Sequence, residues 1–235
     1  MLSSKELKLQ AKYCLRGRWK EAVMLSLIPS ILVVSINLLI VPDLCWYAYT
    51  HHEAVDLIDI LTQLKQLNGN SGLGVASEIF GSMFMAGISW TYLDLLRQEK
   101  KKIEPLKDPF QAFSGNLFSG IFLLSCAILL FTNLWSLLLV IPGIIKYYSY
   151  AQSYFIYYDI YKETGQKPKV LDTITASRKL MVGNKGKLFW LDLTFIGWHC
   201  LALLTLGIGY LWINPYITAT KSAFYYELKK EWMLC

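Results

Sequence analysis

From Pro109 to Ile145 the chain runs for 37 residues without a charged side chain, and from Leu193 to Thr220 it does so for another 28. No other feature narrows the possible folds as much. A helix rises about 1.5 Å per residue and a bilayer core is about 30 Å thick, so about 20 apolar residues cross it. As one helix the longer run would reach about 55 Å, so it must fold back on itself. "VIPGII" (140–145) and "TLGIGY" (205–210) are the places to turn, because Pro and Gly break helices. Two isolated apolar segments complete six expected spans: Ala22–Val41, Gly72–Leu96, Leu117–Ile141, Ile144–Tyr161, Leu188–Leu206 and Gly209–Tyr226. A buried soluble core seldom requires charge-free runs this long. Charged residues make up 17% of the chain, against about 25% in ordinary soluble domains.

Lys and Arg give the orientation. Residues 1–21 hold six, 97–114 hold five, 162–187 hold seven and the tail after Tyr226 holds two. That is 20 of 23 on one side of a six-span arrangement. The other side carries Lys65, in a 42–71 loop with Asp43, Glu53, Asp56 and Asp59. Both termini are expected in the cytoplasm. The net charge of +6 is then a membrane-surface feature drawn to anionic headgroups, and a nucleic-acid partner is unnecessary. The first apolar segment is about twice a signal peptide's apolar region and no A-x-A-like site follows it, so it is expected to remain as a span. Cys14, Cys45, Cys126, Cys200 and Cys235 show no C-x-x-C spacing, which indicates neither a disulfide framework nor a zinc site.

One short phrase recurs. "YLDLLR" (92–97), "YYDIYK" (157–162) and "YYELKK" (225–230) each close an apolar run. Gly115 lies 44 residues before Asp159, and Gly183 lies 44 before Glu227; Gly17 opens a longer first copy that ends at Asp94. The repeating unit reads as amphipathic segment, Gly, span out, turn, span back, acid–base ending. Units of about 1–100, 101–165 and 166–235 would form one membrane domain of three parallel helical hairpins with pseudo-threefold character. The phrase reads as a membrane-exit anchor. Its tyrosines suit the headgroup level, and Asp94–Arg97, Asp159–Lys162 and Glu227–Lys230 are i,i+3 pairs on a helix surface. Residues 3–19 open with a capping box, Ser3 with Glu6. Their face of Leu7, Ala11, Cys14 and Trp19 is expected in the cytoplasmic interface or docked against a partner, as are Val170, Leu171, Ile174 and Met181 of 169–181.

Ionisable groups at membrane depth are costly and often functional. Glu78 and Lys146 match in depth in the outer half, Asp192 and Lys221 in the cytoplasmic half, so each couple is expected as an ion pair. Near the second lie Asn214, Tyr216, Thr218 and Thr220, with Pro215 freeing a backbone carbonyl. Two readings stay open for it: a substrate or proton site, or a pair that locks helices together. His199 is a further candidate there, or a hydrogen-bond partner of a neighbouring helix. His51 and His52 stand in the 42–71 loop without a metal-ligand pattern. No G-x-S-x-G, H-E-x-x-H, P-loop or dinucleotide fingerprint occurs, so no catalytic activity, cofactor or metal is expected.

"SRKLMVGNKGKLFWLDLTFIGW" with "LLTLGIGYLWINPYITATKSAFYYEL", together with "ELKLQAKYCLRGRWKEAV" and "LWSLLLVIPGIIKYYSY", resembles the bacterial integral-membrane family catalogued as domain of unknown function 975. The histidine-bearing 42–71 loop departs from the family's usual link. The resemblance implies a multi-pass protein of the bacterial cytoplasmic membrane, and it brings no catalytic residues. A more distant likeness, to the membrane part of some glycerophosphodiester phosphodiesterases, implies an accessory role near lipid metabolism. The resulting expectation is an all-α polytopic membrane protein that binds anionic membrane lipids or a membrane-protein partner. The alternative is a small transporter or channel using Asp192 and Lys221.

Overall fold

The computed structural model describes residues 2–38, 72–205 and 207–234. Among them are ten α-helices, one 3-10 turn and no strand. The ends of the expected first span and all of the 42–71 loop, with Cys45, His51 and His52, lie outside the described residues, as does Cys235.

Helix α1 (Ser4–Leu15) starts at the expected capping box: the Glu6 backbone N–H donates to Ser3 Oγ, and the Ser3 N–H donates to the Glu6 carboxylate at 2.7 Å. Leu7, Ala11, Cys14 and Leu15 are buried, and α1 packs on α10 (Tyr210–Leu234). This corrects the expected interfacial placement, because the apolar face of α1 is covered by protein. The same holds for α7 (Val170–Leu180). It packs on α6 (Ser153–Thr164) through Thr173, Ile174, Ser177 and Leu180, and leaves only Leu171 of the expected face outward.

The long apolar elements are α2 (Trp19–Leu38), α3 (Gly72–Leu96), α4 (Gly115–Leu138) and the pair α8 (Lys185–Leu193) and α9 (Ile196–Leu204). By length and composition, three segments among the described residues could cross a membrane: Gly74–Leu96, Gly115–Leu138 and Lys185–Leu204. α3 is the hub, largely buried and touching α1, α2, α4, α6 and α10. α4, α8 and α9 instead face outward with apolar side chains, among them Leu130, Leu134, Leu201 and Leu203, and Leu137 is 86% exposed. Contiguous apolar surface of this extent belongs against lipid rather than water, and it points to membrane association.

Two expected continuous spans are broken. Residues 144–161 divide between α5 (Val140–Tyr150) and α6, and 188–206 divide between α8 and α9. In each case a polar side chain from an amphipathic helix takes a carbonyl near the break. Ser177 Oγ of α7 donates to the Ser149 carbonyl at 2.8 Å, and Lys8 Nζ of α1 donates to the Thr194 carbonyl at 3.1 Å. A side chain inserted into the i→i−4 ladder is a recognised cause of helix breaks. The turn expected at 140–145 comes slightly earlier, at Leu139, whose backbone is extended, so Pro142 and Gly143 lie in the first turn of α5, where Pro is tolerated. The turn expected at 205–210 falls where predicted, between Leu204 and Tyr210.

After α3 the chain doubles back, and the 3-10 turn Asp108–Phe113 settles against the helix it has just left. Asp108, buried, accepts from the Glu104 N–H at 2.9 Å and from Gln111 at 3.2 Å, and is paired with Lys100. The approach requires glycine. A Cβ at Gly87 would stand 2.8 Å from the Pro109 carbonyl oxygen and 2.9 Å from that of Asp108. Gly87→Ala is therefore expected to lower stability by about 1–3 kcal/mol, the usual cost of overpacking. Gly115→Ala, with nothing within 4 Å of its Cβ, should be near neutral. Denaturant or thermal unfolding in detergent compares the two, and equal effects would refute the close-packing account.

Candidate functional site

The cytoplasm-facing ends expected from the repeated phrase come together, but with exchanged partners. Arg97 does not pair with Asp94 in its own helix. Its two terminal nitrogens donate to the two oxygens of Asp159 at 2.7 and 2.8 Å. Lys162 likewise passes over Asp159 and pairs with Asp94 at 3.0 Å and with Glu99. Tyr158 also donates to Asp94, at 2.7 Å. From α10, Tyr225 donates to Asp159 at 2.6 Å and Lys229 at 2.7 Å, and Lys229 bridges on to Glu163 at 2.9 Å. Of the three expected i,i+3 pairs, the structure brings only Glu227 and Lys230 together, at 3.4 Å.

Burial explains the exchange. Tyr92, Tyr157 and Tyr225, the first residue of each phrase, are core residues rather than headgroup-level anchors. Their helices are thereby held close, and each acid faces a neighbouring helix. Trp90 stacks on Tyr158 at 4.6 Å and Phe155 on Tyr225 at 4.7 Å; each of these two stacking residues lies four positions before the acid of its own phrase. Burial alone would push the Lys162 ammonium and the Arg97 guanidinium down. Hydrogen bonds from Lys162 to Glu99 and Asp94, and from Arg97 to Asp159, outweigh that and raise both above their ordinary values. A raised basic group stabilises the fold fully below its unfolded value and loses that contribution only as pH rises through the folded one. The network is thus complete at neutral pH. Lys229 and Glu163 were not singled out by the sequence reading, and Tyr225 was read there as a headgroup-level tyrosine rather than as a donor to a carboxylate.

The second cluster is the expected intramembrane one. Lys221 Nζ of α10 lies 3.0 Å from Asp192 Oδ1 of α8, and the Tyr148 hydroxyl of α5 donates to Asp192 Oδ2 at 3.1 Å. Tyr148 is an addition from outside the third unit. The pair is about one-third exposed at Lys221 and one-quarter at Asp192, and it sits where two cavities meet. One, of about 440 Å³, adds His199, Asn214, Phe189 and Ile196. The other, of about 400 Å³, is lined by apolar groups that include Ile128, Phe155 and Leu188. Met85 and Thr218 line both. Tyr216 stays out of the cavities: it is buried, edge-on to Phe195 at 5.6 Å and to Trp198 at 6.3 Å. His199 packs against the Tyr210 ring at 5.7 Å.

Glu78 and Lys146 do not pair. Glu78 is exposed, and Lys146 Nζ lies 4.3 Å above the Trp135 ring, a cation–π contact that serves the charge without a carboxylate. Among the described residues no group of three or more His, Cys, Asp or Glu could hold a metal ion.

Compared with known proteins, the chain matches the family described as "Protein of unknown function (DUF975)" over residues 1–154 and again over 136–231. It belongs to that family. No curated protein and no solved structure matches it. For this DUF975 member, both clusters fall within the matched residues, and the family description assigns neither of them a role.

The buried phrase network makes a direct prediction. Asp159→Asn leaves Arg97 and Lys229 short of a counter-charge, and breaking a buried pair in this way costs about 3–5 kcal/mol. Glu104→Gln removes an exposed pair with Lys107 and should cost at most about 1 kcal/mol. Unfolding midpoints in detergent decide it: similar small shifts for both variants would show that the network carries little stability.

Proposed function

We propose that this DUF975 protein is a non-catalytic, multi-pass protein of the bacterial cytoplasmic membrane, with both termini in the cytoplasm. It holds membrane lipid in the groove beside Asp192 and Lys221, and so assists a lipid-handling, envelope or export system through contact with lipid or a membrane-protein partner. The observation that carries this reading is the 400 Å³ cavity that ends at the ion pair. Its apolar walls suit an acyl chain, and a paired carboxylate and ammonium offer contacts to a headgroup without leaving a net charge in the membrane.

The six crossings belong to the same proposal, as three hairpins: α2 with α3, α4 with α5–α6, and α8–α9 with α10. Supporting the repeat is a cyclic packing order. α1 lies on α10, the 3-10 turn on α3 and α7 on α6, so each leading segment covers the returning helix of the preceding unit. Gly17 and Gly183 share a left-handed φ of +76° at matching positions. Counted back from those glycines, Leu7, Ala11, Cys14 and Leu15 correspond to Thr173, Ser177, Leu180 and Met181, and all eight are buried.

The other cavity favours a second reading, because His199 and Asn214 give a more polar approach to the same pair. There the protein would move an ion or small solute.

Native mass spectrometry of the protein, extracted in mild detergent from its own membrane, separates the readings. Phospholipid retained by the wild type and lost on Met85→Trp, which fills both cavities from an exposed position, is the expected result. A bare wild-type protein would overturn lipid binding. Proton or potassium flux in proteoliposomes that Asp192→Asn abolishes would replace it with transport.

A further inference from the structure

Another cavity lies away from the Asp192 groove and shares no residue with it. It measures about 530 Å³, within the range of small-molecule sites, and opens between α1, the turn before α2, the end of α3 and α10. Arg18, Lys100 and Lys101 line it, with no acid among the lining residues; Gln10, Gln98 and Tyr226 add polar groups, over a floor that includes Leu95 and Leu96.

The three cations are not equivalent. Lys100 is committed to Asp108. Among the described residues the Arg18 guanidinium makes only a long hydrogen bond, 3.3 Å, to the Cys14 carbonyl. Lys101 is exposed and carries no ion pair among the described residues. Charges this close to the protein's acids ordinarily find partners, as Lys162 and Lys229 do nearby. Here the backbone works against that. Gln98 adopts a left-handed φ of 61°, which a side-chain-bearing residue holds only at a cost of about 1–3 kcal/mol. The Glu99 and Lys100 N–H groups both donate to the Asp94 carbonyl, at 3.0 and 3.3 Å. This sharp reversal after α3 keeps Lys100 and Lys101 on the cleft that Arg18 also lines.

We infer that this cleft is a binding site for a phosphate group. Arg18 supplies the planar fork that matches phosphate oxygens, Lys101 a mobile ammonium, and the Gln98 amide a neutral donor. The apolar floor accommodates the carbon skeleton attached to the phosphate. The phosphate can come from two sources: the headgroup of an anionic phospholipid, or a soluble phosphate ester. This inference does not depend on the lipid groove, which lies on other residues.

The test titrates full-length protein in detergent with two probes, glycerol 1-phosphate by calorimetry and dioleoylphosphatidylglycerol by native mass spectrometry. Arg18→Gln with Lys101→Gln is expected to weaken binding at least about tenfold, the scale of one lost charge-assisted hydrogen bond. Lys5→Gln with Lys107→Gln removes the same charge from exposed positions outside the cleft and should leave binding within about twofold, since neither lysine lines the cleft. Selective loss for the soluble ester identifies a soluble ligand, and selective loss for the lipid alone identifies a headgroup. Absence of binding for both probes, or equal loss in the two double variants, overturns the inference. Should the Arg18 change unfold the protein, Lys101→Gln alone, which removes no internal bond, reads the same outcome.

Discussion

Asp159 is the point on which the bundle closes. Its two oxygens accept four hydrogen bonds, two from Arg97 and one each from Tyr225 and Lys229, about as many as a carboxylate can take. Those donors come from two other elements, the end of α3 and α10. A buried carboxylate without them would be driven to neutrality; with them it fixes the spacing and rotation of α3, α6 and α10 together. The two cations it attracts would in turn be one charge too many, and Lys229 resolves this by also reaching Glu163. Lys162 instead stands as one cation between two acids, Asp94 and Glu99. Every carboxylate of the network thus meets a cation directly, which is what permits so many ionised groups to gather beside a largely apolar interior.

From that closure the cyclic order of the other elements follows. Once α3, α6 and α10 are clamped at one end, each leaves an outer face near its charged terminus. The 3-10 turn, α7 and α1 pack on them in that order. These segments also place polar atoms on neighbouring backbone and side chains: Lys8 reaches the Thr194 carbonyl between α8 and α9, Gln111 the Thr91 hydroxyl at 3.2 Å and Ser177 the Ser149 carbonyl of α5. Two of these contacts coincide with helix breaks. The amphipathic segments therefore shape the helices they cover. An account of them as membrane-surface floats would have missed this.

How much of this could be read in advance depended on the range of the forces involved. The apolar segments, the reversal at 205–210 and the helix start at Ser3 are set by local composition and were legible. So was the meeting of Asp192 with Lys221, because two opposite charges set in otherwise uncharged apolar stretches have few other partners. The exchange of Arg97 and Lys162 was not legible. Local spacing allows Asp94–Arg97 and Asp159–Lys162 equally well, and only the burial of Tyr92, Tyr157 and Tyr225 turns the acids toward neighbouring helices. The breaks near Ser149 and Thr194 were hidden for a related reason, since the side chains responsible stand 28 and 186 residues away. Glu78 and Lys146 misled because a nearby indole, Trp135, can serve a lysine as well as a carboxylate does.

The two cavity regions differ in a way that bears on what each can hold. At Asp192 the carboxylate, the Lys221 ammonium and the Tyr148 hydroxyl are already engaged with one another. A ligand there gains little by competing for either charge, so shape and apolar contact dominate, and a chain of methylenes suits the site better than an ion. In the cleft beside Gln98 the balance is reversed. Among the described residues Lys101 has no ion pair and Arg18 has one long hydrogen bond, so a ligand that brings negative charge meets groups little engaged there. An anionic lipid has both parts, an acyl chain and a phosphate, but the two sites share no residue and neither needs the other to be filled. Their ligands are therefore separable by charge: raising salt should weaken occupancy of the cleft, where exposed charges are screened, and leave that of the groove nearly unchanged.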